Sequence, residues 1–90
     1  MKPTSTVIAA LECFRHAIIL ETYPETMEPD VSWYYAVAQK QRLYQTLIPS
    51  FTESECDQFS TLSEWMTRAW ALQHSLTVED LCKVYEAMNS

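Results

Sequence analysis

Ninety residues with 12 acidic and 6 basic side chains make a single small domain of net charge −6, long enough for one core and no more. That sign works against phosphate, so direct nucleic-acid binding and docking on anionic membrane are disfavoured, and a protein with a basic surface is the better match. Glycine is absent altogether, which removes the standard phosphate loops, the dinucleotide fingerprint and the nucleophile elbow, because each needs a residue without a Cβ where the backbone turns tightly or meets its ligand.

The first helix is expected over residues 5–22. Val7, Leu11, Phe14 and Ile18 recur at steps of four and three, and Ala10, Ala17 and Leu20 widen that stripe. Glu12, Arg15 and His16 mark its wet side. Tyr23-Pro24 ends it, since proline pushes the preceding residue out of helical geometry.

A connector rich in proline and glutamate leads to Asp30, a good N-cap for a second helix over 30–48. Its apolar positions include Trp33, Val37, Tyr44, Leu47 and Ile48, with Tyr34 and Ala38 beside them, and Pro49 stops it.

The third helix, 53–74, opens on a Thr52/Glu55 capping box, with Phe51 and Cys56 where a hydrophobic staple belongs. Cys56, Phe59, Leu62, Met66 and Ala69 form its inner side. Thr61 and Glu64 could cap a new start near Ser60, but one continuous helix is the expectation.

The fourth helix, 78–88, repeats the device with Thr77, Asp80 and a Leu76/Leu81 staple, and Val78, Leu81, Tyr85 and Met88 make its inner stripe. The sum is an all-α single domain, a compact four-helix bundle or four-helix array with short connectors and no sheet.

Chemistry is thin along the chain. Cys13 and His16 have a metal-ligand spacing, but Cys56, His74 and Cys82 are scattered singly, so neither a metal nor a cofactor is expected. No third group orients a Cys–His pair, and no positioned nucleophile points to an enzyme. Three cysteines, no secretory signal and no long apolar run give an intracellular, cytoplasmic protein as the expectation.

The aromatic residues are more telling. Trp33, Tyr34 and Tyr35 are consecutive and must spread around their helix, while Trp65 and Trp70 lie about 140° apart in projection, so some of these rings face outward. Exposed Trp and Tyr are typical hot-spot anchors. Glu53, Glu55 and Asp57 crowd the start of the third helix, where its dipole favours them and where they could also rim a contact. These observations favour a non-enzymatic module, such as an inhibitor, immunity protein or regulatory adaptor, docking on a basic partner through Trp33, Tyr34, Tyr35, Trp65 and Trp70 with Glu53, Glu55 and Asp57 as charged rim. The alternative is an obligate helical homodimer, or a structural subunit of a larger assembly, whose extra rings complete a shared core.

Overall fold

The computed structural model describes residues 2–22, 31–74 and 76–89, with the side chains of 19–22 and 31–32 left aside. Helix α1 spans Ser5–Thr22, α2 Val31–Arg42, α3 Glu53–Ala71 and α4 Val78–Met88, and no strand occurs among the described residues. The bounds of α1 and α4 match those expected from the sequence. The Tyr23-Pro24 stop and the Asp30 cap fall outside the described residues.

Three side-chain caps begin three of the helices. Thr52 Oγ1 accepts the Glu55 N–H at 3.2 Å, and the Glu55 carboxylate accepts the Thr52 N–H at 3.0 Å. Thr77 and Asp80 exchange the same pair of bonds at 3.1 and 3.4 Å. The third cap was not foreseen: Thr4 Oγ1 accepts the Val7 N–H at 3.2 Å and closes the first turn of α1. Each such cap is worth about 1 kcal/mol.

Between α2 and α3 the chain stays helical but changes gauge. Leu43–Leu47 is a π-turn, with the Ile48 N–H reaching back to the Leu43 carbonyl, and Ile48–Ser50 is a 3-10 turn. Pro49 supplies a reason. It has no N–H, and its ring would strike the Gln45 carbonyl of a regular helix, so the backbone widens just ahead of it. The chain becomes extended only at Phe51 (φ −65°, ψ 139°).

Helix α3 runs unbroken through Ser60 and stops at Ala71, three residues before the expected end. Its stop is a Schellman arrangement: the Gln73 N–H bonds the Trp70 carbonyl at 3.0 Å and the His74 N–H bonds the Ala69 carbonyl at 2.9 Å. Gln73 sits at φ 60°, the left-handed region that glycine normally fills. Substituting Gln73→Gly should therefore stabilise the fold by about 0.5–1 kcal/mol, read as a rise of a few degrees in Tm. A fall in Tm would show that the Gln73 side chain contributes more than its backbone strain costs.

Packing centres on α1. Val7, Leu11 and Ile18 join Leu62, Met66, Val78, Leu81 and Tyr85 in a core shared by α1, α3 and α4. On the other flank of α1, Ala10 and Cys13 meet Leu43 and Leu47. Phe14, Phe51 and Phe59 pack against both clusters, with Phe14 and Phe59 edge to face at 5.8 Å and Phe51 and Phe59 at 5.4 Å. The order is up-down-up-down. His16 meets Tyr35 and Cys13 meets Gln39, so α2 returns antiparallel to α1. Thr4 meets Glu55 while Ile18 shares a groove with Trp70, so α3 runs with α1.

The Cα extents are 45 × 29 × 15 Å. With helix axes about 8–10 Å apart, the shortest of these allows two layers of helix. The result is an array laid on both sides of α1 rather than a closed square bundle, and α2 leans chiefly on α1.

Four inner-face assignments need correction. Cys56 is exposed, and the ring of Phe51 packs on Phe59. Met88 is 68% exposed at the end of α4, beyond the reach of the core. On α2 and its π-turn the inward residues are Ala36, Leu43 and Leu47, whereas Trp33 and Tyr44 face outward.

Candidate protein-interaction surface

Small residues put the aromatic side of α2 on the outside. Ala36 is buried between the His16–Tyr35 and Cys13–Gln39 contacts, and α1 offers Ala10, Cys13 and Ala17, all buried. Helices that meet through such small side chains approach closely and leave no room for indole or phenol rings between them. The rings go elsewhere. Trp33 is 41%, Tyr34 62%, Tyr35 56% and Tyr44 50% exposed.

Trp33 and Tyr34 stack edge to face at 5.0 Å, and Tyr35 rests against His16 at 5.1 Å. A shallow groove of about 500 Å³ runs along α2 and its π-turn, lined by Trp33, Val37, Lys40, Gln41, Tyr44 and Gln45. Tyr44 was not among the anchors expected from sequence, although its place four residues after Lys40 on the Trp33/Val37 stripe marks it.

The other two expected anchors belong to α3 and differ from each other. Trp65 is half-buried against the core, its ring 6.1 Å from Tyr85. Trp70 is 38% exposed and overlooks a second groove of about 580 Å³, whose lining includes Arg15, Ile18, Met66, His74 and Leu81. The 140° between the two indoles thus separates one core residue from one surface residue.

The acidic cluster at the start of α3 also divides. Glu53 and Asp57 are exposed. Glu55 is turned inward: besides capping α3, its carboxylate accepts the Thr4 hydroxyl at 2.5 Å, and the Thr4 N–H donates to Gln58 Oε1 at 3.4 Å. Glu55 therefore ties the start of α1 to the start of α3, across more than fifty residues of sequence.

These bonds hold the Glu55 carboxyl below its ordinary pKa of 4.5, the Thr4 hydroxyl first and the Thr52 N–H next. A depressed carboxyl pKa stabilises the fold above the unfolded-state value and loses that contribution as pH falls through the folded one. The stability gap between wild type and Glu55→Gln should thus be full at pH 7 and shrink below pH 4.5, as urea melts at several pH values would measure. A gap that stays constant into acid would contradict the assignment.

Rings and rim are not brought together. About 24 Å of helix axis separates Tyr34 from Ser50, where the chain turns into α3, and about 20 Å separates Asp57 from Trp70. Charge is divided in the same way. No Asp or Glu lies between Asp30 and Glu53, while Lys40 and Arg42 do, so α2 carries two of the six cations and none of the acids. Arg68 and Lys83 pair with Glu64 and Glu79 on their own helices, at 2.6 and 3.3 Å.

The residues weighed for metal or nucleophilic chemistry point apart. The Cys13 thiol is buried and donates to Gln39 Oε1 at 3.3 Å, while His16 faces Tyr35. Burial pushes the Cys13 thiol upward, against the pull of Arg42, and burial with Glu86 and Glu12 pushes Cys82 upward. Thiols so shifted stay protonated and are poor nucleophiles. Among the described residues no three of His, Cys, Asp and Glu lie together as a metal site, and no helix is long and apolar enough to cross a membrane. No protein-family model matches this chain, and neither a curated protein nor a solved structure matches it.

Proposed function

We propose that this chain is a small, acidic, non-enzymatic protein-binding module, of the inhibitor, immunity or regulatory-adaptor type, that works in the cytoplasm. One observation carries this function: four aromatic rings stand exposed along α2 and its π-turn, on a segment that α1 covers through Ala36, Leu43 and Leu47. Rings of this kind supply large contact area at little entropic cost and dominate binding energies where they occur.

The carboxylates act differently from the rim expected of them. Glu53 and Asp57 lie too far from the α2 rings to border the same small contact. They and the other acids of α3 and α4 draw a basic partner at long range, while the α2 rings make the close contact with an apolar part of that partner, away from Lys40 and Arg42. Glu55 shapes the fold and leaves that task to its neighbours.

Capture from the native host with wild type, Trp33→Ala/Tyr34→Ala and Glu53→Lys/Asp57→Lys tests this division. The ring variant should lose at least tenfold in affinity for the captured partner, and the charge variant should slow association. Undiminished binding by the ring variant would sink the proposal.

A further inference from the structure

We infer that the groove between α1, the end of α3 and the start of α4 is a binding site for a small apolar carboxylate, of the kind a medium-chain fatty acid anion presents. It is a second site, independent of the α2 surface, which meets α1 on its other flank.

The way α3 stops builds the groove. The backbone turns through Gln73 in the left-handed region, and the Leu76 N–H then bonds the His74 carbonyl at 3.1 Å. That tight return sets Gln73, His74 and Leu76 along one wall, while α1 contributes Arg15 and Ile18, one turn apart on the same side. The floor is apolar, since Ile18, Met66, Ala69 and Leu81 are all buried core residues. Trp70 and Leu76 extend it outward, partly exposed. At about 580 Å³ the space has the size of a small-molecule site, apolar within and polar at a few points of its rim.

Charge identifies the headgroup. The described residues that line the groove include no Asp or Glu, and no acid occurs in the sequence between Glu64 and Glu79. Arg15 supplies the formal charge there. It is exposed and makes no ion pair among the described residues, whereas Arg68 and Lys83 are paired on their own helices. A guanidinium fork matches a carboxylate, and the Gln73 amide and His74 ring bring further N–H donors to the same rim. An acyl chain on the floor with its carboxylate at Arg15 uses both features. A neutral apolar molecule leaves Arg15 idle, and a cation meets it with like charge. The net charge of −6 works the other way, drawing cations to the chain as a whole. Preference for an anion can therefore come only from the groove, which makes it diagnostic.

Titration of the 15N-labelled full chain with three probes of one length, octanoate, octanol and octylammonium, tests this through amide and indole shifts. Octanoate should shift Ile18, Met66, Trp70, His74 and Leu81 with a Kd of roughly 0.1–1 mM. Octanol should bind about fivefold more weakly, and octylammonium more weakly still. Arg15→Gln, an exposed change whose folding circular dichroism checks, should erase the advantage of octanoate over octanol. Leu76→Ala should weaken both by a similar factor. Octylammonium binding as tightly as octanoate overturns the inference. So does an octanoate affinity indifferent to Arg15→Gln, or the absence of shifts at about 10 mM octanoate. Shifts at the same amides on concentrating the ligand-free chain would give the groove to a second copy and overturn it as well.

Discussion

Replacing Leu11 by alanine should destabilise the fold by about 3–5 kcal/mol and lower Tm by roughly 15–30 °C. Leu11 is fully buried on the helix against which α2, α3 and α4 all pack, in the cluster of Leu62, Met66 and Leu81. Truncation removes three carbons' worth of transfer free energy and leaves a cavity that α3 and α4 cannot fill without breaking their own caps. A domain of this size has only about 5–10 kcal/mol to lose, so a large part of its stability goes with one side chain. Leu72→Ala, at a position 69% exposed, is the control and should change stability by under about 0.5 kcal/mol. Thermal and urea melts read both. A Leu11→Ala shift below about 5 °C would mean that α1 is not the central helix.

The helices themselves were legible because their ends carry chemistry that acts locally. Thr52 with Glu55 and Thr77 with Asp80 satisfy backbone groups three residues away, and nothing distant overrides them. The stripes of α1 and most of α3 were legible for a similar reason, since apolar residues at helical spacing on a central element have a core on that side. Helix α2 was not, and two physical effects account for it. Its packing against α1 uses small side chains, so the bulky residues that look like core are the ones left over. Its π-turn then alters the angle per residue after Arg42, bringing Leu43 and Leu47 inward together while Tyr44 stays out. A row of Ala10, Cys13 and Ala17 on α1 was the available sign of a close helix approach. The Thr4–Glu55 tie left no sign at all, because it depends on where two helix starts meet in space. For the interaction surface, sequence showed that rings had to be exposed. Only the fold shows that Trp65 faces inward, that Tyr44 joins the exposed group, and that the acidic cap lies at the far end of α2.

Phe59→Ala should cost about 3 kcal/mol and should also loosen the coupling between the two halves of the core, because its ring touches both of the other two phenylalanines that border the two clusters. The ring lies between clusters: Phe14 is 5.8 Å away on one side and Phe51 5.4 Å on the other, and both clusters border it. With that ring gone, α2 and its π-turn keep Leu43 and Leu47 on Ala10 and Cys13, but lose the bridge to α3. Amide exchange should therefore quicken in Val31–Arg42 well before it does in Glu53–Ala71, and the denaturant transition should broaden as α2 begins to open on its own. Leu43→Ala is the comparison. It weakens the α2 cluster alone, so its double mutant with Phe59→Ala should cost less than the sum of the two, since each already frees the same helix. Additive costs and uniform exchange would mean that the two clusters never acted as one, and that α2 is held to α1 without help from α3. The same exchange experiment bears on the interaction surface, because a partner seated on the α2 rings should slow opening of that helix as the partner's concentration rises.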